Sequence, residues 1–376
     1  MNKFIFKIIL ILPFVLSCSG DKNITGNDFP FRKISNMVFS TTVYPSKYEN
    51  LIYERKFGSK GKLLLGNMGD YTSKMLIKFQ TNSEFKTIKS VTMVLTSYDN
   101  ESTITGGFDG VIYEIKSNWD ESTNEGIVYN TTQVTSFSLN QTSKDSVSIP
   151  ALLVQKWYSD TTSNKGIMID SKNSNFIKRY YSRESTTETP YLVITGNNDS
   201  GELTLTIYPE MDTYLVESGA KPNSNELIVD NLSIYRAVIK FDTIGISKNS
   251  TINLALLELS LKNENSLLIG EDIDKIYAFR IETSSWKPEE LTFDDVSLFS
   301  NQHYSTFTDS GTVKINITGI VQQWLSNFRE NYGLLLISYH ESEYAGKYVF
   351  DMNNINQKDS PKLHIEYTVP RTENQF

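Results

Sequence analysis

The chain has little of what metal-dependent and triad enzymes are built from. Among its 376 residues there is one cysteine, Cys18, and three histidines, His303, His340 and His364. A single thiol excludes an intramolecular disulfide framework and any multi-cysteine zinc or iron–sulfur site. The histidines stand far from any ligand-type cluster, which argues against a zinc or Ser-His-Asp enzyme. Basic excess is missing too. The 36 Lys plus Arg face 44 Asp plus Glu, a formal charge of −8, so nothing displaces counterions from a phosphate backbone and nucleic acid is not an expected partner. The apolar stretch Phe4 to Leu16 is interrupted by Pro13 and falls short of the roughly 20 residues a spanning helix needs. What is present is a foldable composition, 39% hydrophobic and 12% aromatic with 21 tyrosines, in a length that suits two domains.

The first residues, MNKFIFKIILILPFVLSCSG, place Lys3 and Lys7 around the start of an apolar run, and Cys18 directly after the small Ser17. This pattern reads as a signal peptide over residues 1–17. It resembles a bacterial lipoprotein signal, with Val15, Leu16, Ser17 and Cys18 filling the lipobox. The resemblance implies lipidation at Cys18, with diacylglycerol on the sulfur and a further acyl chain on the new N-terminus, which is the number of chains stable anchoring requires. The expected partner is then the lipid bilayer, through acylated Cys18, and the expected location is the bacterial cell envelope, at the outer membrane or cell surface. Loss of Lys3 and Lys7 moves the charge from −8 to −10. Residues 18–35 are polar, with Gly20, Gly26 and Pro30, and read as a flexible tether.

The four tryptophans reveal an internal repeat. Trp119 and Trp286 differ by 167 positions, as do Trp157 and Trp324. MLIKF from Met75 matches AVIKF from Ala237, and KGIMID from Lys165 resembles YGLLLIS from Tyr332. Nearer the front, Tyr44-Pro45 aligns with Tyr208-Pro209, and Leu63 with Leu227, at an offset of 164. The repeats occupy residues 36–196 and 202–369, each a typical domain length, joined by the polar NNDSGE. Within each copy the apolar period is two, as in Ala237, Ile239 and Phe241 or Leu363, Ile365 and Tyr367, which predicts half-buried antiparallel strands. Two segments break the rule. Leu153 to Trp157 after Pro150, and Ile320 to Leu325 after Thr318, follow an i, i+4 spacing and predict one short helix per repeat. The expected fold is all-β: two tandem jelly-roll-like antiparallel β-sandwich domains, each with one short helix.

Several stations, in order, resemble the DNRLRE-type surface domain, which is related to disaggregatase-associated and alginate-type carbohydrate-binding modules. In repeat 2 these are DTYL at Asp212, RAVIKFD at Arg236, FRIETSSW at Phe279 and VQQW at Val321 before YGLLL. Repeat 1 supplies YEIKSNWDEST at Tyr113, VQKW at Val154, and YSRE at Tyr181 before PYLVI. The resemblance implies a noncatalytic surface module that binds polysaccharide. The copies depart from one another: Tyr48 and Asn50 stand for Asp212 and Tyr214, Lys74 and Glu114 for Arg236 and Arg280, and DMNN at Asp351 for YSRE. If the pattern marks a site, each copy keeps part of it.

The tryptophans read as core residues, with Trp119 and Trp286 closer to polar loops than Trp157 and Trp324. The ligand candidates are the basic residues of the central strands. Arg236 and Lys240 share one face of their strand, as do Lys74 and Lys78, where they would meet uronic-acid carboxylates or else form salt bridges to Glu114 or Glu258. Tyr214, Arg280, Tyr181 and Arg183 complete the set. Arg183 and Glu184, adjacent on an expected strand, would point to opposite faces. No catalytic residue, cofactor or metal is assigned. HESEY at His340 has Tyr344 where a zinc protease needs its second histidine, and no GxSxG elbow or P-loop occurs. A polysaccharide lyase built on His340, Lys347 and Tyr348 is a lesser alternative, and a structural or adhesive envelope protein without glycan affinity is the main one.

Overall fold

A computed structural model describes residues 37–53, 57–81, 85–98, 108–122, 126–139, 143–172, 176–218, 223–232, 235–242, 245–268, 275–288, 291, 296–297, 306–307, 311–352 and 360–370. The expected signal peptide and tether, with Cys18, and also His303 lie outside the described residues. No helix among the described residues is long and apolar enough to cross a membrane.

The first half of the chain runs through β1 (Val38–Val43), β2 (Pro45–Ile52), β3 (Lys62–Met68), β4 (Tyr71–Phe79), β5 (Thr87–Thr96), β6 (Phe108–Glu114), β7 (Thr135–Leu139) and β8 (Lys144–Ile149). Helix α1 (Ala151–Ser159), β9 (Ile167–Lys172), β10 (Phe176–Tyr181) and β11 (Tyr191–Asn198) follow. The second half holds β12 (Gly201–Ile207), β13 (Pro209–Ser218), β14 (Glu226–Asp230), β15 (Tyr235–Phe241), β16 (Thr251–Ser260), β17 (Ile276–Ile281), β18 (Val296–Ser297), β19 (Thr306–Phe307) and β20 (Thr312–Asn316). It closes with α2 (Thr318–Leu325), β21 (Leu334–Ser338), β22 (Lys347–Asp351) and β23 (Lys362–Thr368). The strand pairings are antiparallel and no sheet closes into a barrel, so the fold is all-β with two short helices, as the period-two pattern predicts.

The folded units are not the sequence repeats. In the first sandwich, the sheet β10-β3-β4-β9-β6-β7 also carries β13 against β4, and it faces the sheet β12-β11-β5-β8. In the second, β18-β17-β21-β15-β2, with the pair β14-β22 beside it, faces β1-β23-β16-β20-β19. The two leading strands of each repeat therefore complete the other repeat's sandwich. β1 and β2 pair with β23 and β15, while β12 and β13 pair with β11 and β4. The boundaries at 36–196 and 202–369 are replaced by an exchange in which residues 57–218 form one unit, and residues 38–52 join residues 226–368 in the other. Because the repeats share one apolar pattern, either strand can bury its inward face on either partner, and the pattern alone does not choose.

Each sandwich closes over one apolar core. The first packs Leu63, Met75 and Ile77 against Val91, Met93, Val147 and Ile194, and the second packs Leu227, Ala237 and Ile239 against Ala255, Leu257, Ile315 and Ile365. Both helices lay an i, i+3 or i, i+4 stripe on that core, Val154 and Trp157 in α1 and Ile320, Val321, Trp324 and Leu325 in α2. Each helix also clamps a strand through a glutamine: Gln155 Oε1 accepts from Ile88 N at 2.8 Å, and Gln322 Oε1 from Ile252 N at 2.8 Å. After each helix an Asn-x-Gly turn returns the chain. Asn164 Nδ2 donates to Phe79 O at 2.9 Å and Asn331 Nδ2 to Phe241 O at 2.7 Å. Gly166 follows at φ +86°, where an added Cβ would stand 2.5 Å from Ile77 O, so only glycine fits.

Loops fold over the outer face of both larger sheets and turn it into a second layer of core. Trp286 covers Val238 together with Leu51, Phe279, Ile281 and Leu335, and Trp119 covers Leu76 with Ile115 and Met168. The indoles are tied by equivalent bonds, Trp119 Nε1 to Lys165 O at 2.7 Å and Trp286 Nε1 to Tyr332 O at 2.8 Å. The sandwiches are also fused to each other. Leu232 and Ala345 of the second enter the core of the first, and the buried Tyr71 hydroxyl donates to the buried Asp230 carboxylate. Tyr214 OH donates to Ser342 O at 2.7 Å, and Lys62 meets Glu343 at 3.0 Å.

Candidate functional site

The basic residues of the central strands are engaged by neighbouring carboxylates. Arg236 is 9% exposed, and its Nε and Nη2 each donate to Glu341 at 2.8 Å while its plane lies 4.0 Å from the Tyr53 ring. The covering layer that buries Val238 buries Arg236 with it. Arg280 is 2% exposed and pairs with Glu282 and Gln323. Lys74 donates to Glu217 at 2.8 Å, with Asp170 at 3.9 Å. Burial pulls the Lys74 ammonium down, but these two carboxylates hold it above its ordinary range. Lys78 meets Glu210 at 3.0 Å, and Lys240 is 3.8 Å from Asp242. The expected partners Glu114 and Glu258 are engaged by other residues, Lys116 and Lys156 on the one and Lys314 and Lys362 on the other. Tyr214 is fully buried and stacks on Phe57 at 4.3 Å between centroids. Cations so paired, and a tyrosine so buried, have little left to offer a glycan.

His340, Lys347 and Tyr348 do not converge either. Tyr348 is fully buried in the second core, Lys347 reaches Asp70 at 2.9 Å, and His340 Nδ1 stands 3.2 Å from Glu343. A recess of about 450 Å³ opens between the sandwiches near Lys347. Its most buried carboxylate, Glu226, is taken up by Lys262 at 3.1 Å, Asn265 at 2.7 Å and Asn223 at 3.1 Å.

Two features remain once these groups are accounted for. The first is a strip of rings that crosses both sandwiches. Tyr181 meets Tyr98 edge-on at 5.2 Å, and the Arg179 guanidinium lies between Tyr98, at 5.0 Å, and Tyr344, at 3.7 Å. Tyr344 contacts His340 at 4.8 Å, His340 contacts Tyr339 at 4.5 Å, and Tyr339 contacts Tyr277 at 5.2 Å. Tyr98 is 39% exposed and Tyr339 51%, with the other rings half-buried. Lys62 sits over Tyr98 at 4.1 Å. Tyr181 is the one glycan-contact candidate of the sequence on this strip, which also holds His340 of the lyase alternative. Its other members come from segments too far apart in sequence to be grouped by inspection.

The second feature is an acidic cluster assembled by the strand exchange. Asp212, from the DTYL segment of repeat 2, enters the first sandwich on β13, opposite Ile77. There it meets Glu121 of SNWDEST and Arg183 and Glu184 of YSRE, so segments that the repeats hold separately become neighbours. Arg183 N donates to Asp212 Oδ2 at 2.7 Å, and Asp212 N donates to Glu121 Oε1 at 3.2 Å. Arg183 Nη2 lies 2.9 Å from both Glu121 Oε1 and Glu184 Oε1. Arg183 and Glu184 thus pair despite being adjacent, because the chain turns after Tyr181 instead of continuing as a strand. Ser182 Oγ donates to Glu184 Oε2 at 3.1 Å, and Gly58 N donates to Glu121 O at 3.2 Å. A Cβ at Gly58 would lie 2.2 Å from that same oxygen, so the loop closes only over glycine. Burial pushes the Asp212 carboxyl up to about 8; the Arg183 N–H opposes the shift, and Glu184 and Glu121 reinforce it.

No protein-family model and no curated protein matches the chain. A solved structure described as BspA_C_mut is similar over 82% of this chain and 90% of its own, at 8% identity and a TM-score of 0.16, a likeness that carries no weight for fold or function.

Proposed function

We propose that this chain is a noncatalytic, lipid-anchored protein of the bacterial cell envelope whose fused sandwiches bind polysaccharide along the aromatic strip. The observation that carries the reading is the continuity of Tyr181, Tyr98, Tyr344, His340, Tyr339 and Tyr277 across the two units. Aromatic faces stack on the apolar faces of sugar rings, while tyrosine hydroxyls and the interleaved Arg179 and Lys62 provide hydrogen bonds to hydroxyls or carboxylates. The DNRLRE resemblance points to the same ligand class, and the lipobox supplies the anchor, with Cys18 acylated and residues 18–35 as the tether.

Binding of the anchor-free chain, Ser19 to Phe376, to neutral and uronic-acid polysaccharides at two salt concentrations tests the site. Replacing Tyr98 and Tyr339 together by Ala is expected to weaken binding by about tenfold or more, since each ring contact is worth about 1 kcal/mol. Tyr208→Ala, which removes a 53% exposed ring away from the strip, should leave affinity unchanged. Binding to no glycan in a broad panel would refute the reading and favour the adhesive or spacer alternative. Fatty-acid labelling of the full chain in cells, lost in Cys18→Ser, checks the anchor.

A further inference from the structure

The sheet that carries β1 outruns the core it covers, at the end where the chain enters the fold. The register sets Val43 opposite Leu363, Thr41 opposite Ile365 and Phe39 opposite Tyr367. Leu363 and Ile365 belong to the second core, so their partners on β1 face inward as well. Exposure along this face rises toward the start of β1. Val43 and Thr41 are half-buried, but Phe39 is 39% exposed and stacks on Tyr367 at 5.7 Å between centroids. Alternation continues the same face through Met37, 66% exposed, and Val369, 36% exposed. Val38 adds a further exposed apolar group, and among the described residues β1 is the last strand of its sheet. Residues 37–43 and 367–370 hold no charged side chain. A contiguous apolar end of this kind marks an interaction surface.

What covers it follows from the chain that precedes it. Eighteen residues, 19–36, separate Cys18 from Met37. A tether of that length has a root-mean-square reach of about 25 Å, so acylation of Cys18 keeps this end of the second sandwich at millimolar effective concentration against the bilayer surface. The chain as a whole is net acidic and is repelled by anionic lipid, which leaves the charge-free end as the part able to enter the interface. We propose that Met37, Val38, Phe39, Tyr367 and Val369 seat the second sandwich on the lipid bilayer that holds the anchor, as a second membrane contact beside the acyl chains. The inference rests on the anchored reading proposed above. It also orients the aromatic strip. β2 takes over from β1 after Tyr44 and runs to Ile52, where β15 begins at Tyr235 and where β21 and β17 lead into Tyr339 and Tyr277. Seating the β1 end therefore turns the strip away from the bilayer.

The test supplies the anchor chemically. In the anchor-free chain from Ser19, which has no thiol of its own, Ser19→Cys is coupled to a maleimide lipid in phosphatidylcholine vesicles, with and without phosphatidylglycerol, and the uncoupled chain serves for comparison. Hydrogen exchange at Val38–Ser40 and Tyr367–Thr368 should slow by at least about fivefold on the vesicles. The slowing should persist on phosphatidylcholine alone and in high salt, because no charge takes part. Met37→Glu with Phe39→Glu should abolish it, and Met37→Glu alone stands in if the pair disturbs β1. Val128→Glu, at an exposed apolar residue of the first sandwich, should leave it unchanged. Equal exchange on and off vesicles would overturn the proposal. So would protection that needs no vesicles: if it grows with protein concentration a second copy covers the patch, and if it does not the chain covers its own. Absence of fatty-acid labelling of the full chain in cells would overturn the anchor by a separate readout, so the two failures are told apart.

Discussion

Replacing Asp145 by Val should break the first sandwich in a way that substitutions at its two buried partners repair. Lys178 on β10 and Asp145 on β8 are each 2% exposed, and they form an ion pair between the two sheets of the first sandwich. Tyr180 OH also donates to Asp145 Oδ2, at 2.7 Å. The register identifies what the second sandwich places there. Leu65 opposes Lys178 as Val229 opposes Tyr348, Leu95 opposes Asp145 as Leu259 opposes Val313, and Leu63 opposes Tyr180 as Leu227 opposes Phe350. The same three positions are therefore filled by Tyr348, Val313 and Phe350, all fully buried. Removing one partner of a buried pair strands the other charge and costs about 3–5 kcal/mol, whereas exchanging the whole pair for apolar groups is about neutral or stabilising. Asp145→Val alone should cost about that amount or more, and Asp145→Val with Lys178→Met and Tyr180→Phe, which leaves no buried hydroxyl without its acceptor, should return to within about 1 kcal/mol of the parent or exceed it. Urea unfolding of the anchor-free chain gives the energies, and hydrogen exchange in β8 and β10 places the loss in the first sandwich. A single-variant cost below about 1 kcal/mol, or a triple variant as unstable as the single, would refute the reasoning.

Gly166→Ala should destabilise the first sandwich by well over about 1 kcal/mol, through its left-handed φ and the approach to Ile77 O, with thermal unfolding as the readout. Glu343 provides a pH prediction at the junction of the sandwiches. Its hydrogen bond to His340, against the opposing effect of burial and with the help of Lys62, lowers its carboxyl to about 2. A depressed folded value means that this contribution is intact above the unfolded value of about 4.3 and is lost as pH falls toward 2. Glu343→Gln should therefore flatten the decline in stability across that window. An unchanged acid profile would remove Glu343 from the account.

Much of the fold was legible because it depends on local spacing. The i, i+4 stripes ending in Trp157 and Trp324 mark both helices, and the tryptophan offset marks residues that are core in both copies. Strand exchange was not legible, since Ala237, Ile239 and Phe241 offer β2 the same apolar face that Met75, Ile77 and Phe79 offer β13. The candidate site failed in the same manner. Arg236 looked like an outward cation because its carboxylate, Glu341, comes 105 residues later, and Lys74 because Glu217 comes 143 later. Tyr181 and Arg183 were singled out, but what they face depends on Tyr98 and on Asp212, the latter brought from the other repeat. Ion pairs and ring contacts between distant segments leave no periodic trace.

Exchange of the leading strands defines the two sandwiches, and paired cysteines test it most directly. The anchor-free chain from Ser19 has no native thiol, so only introduced ones can react. Ser40 on β1 is the register partner of Glu366, whereas its repeat equivalent Thr204 is the partner of Thr195. Register partners on antiparallel strands stand about 4.5–5.5 Å apart, within disulfide reach. Under mild oxidation, Ser40→Cys with Glu366→Cys should form an intrachain disulfide, and Ser40→Cys with Thr195→Cys should not. A disulfide in the second pair and none in the first would contradict the exchanged architecture.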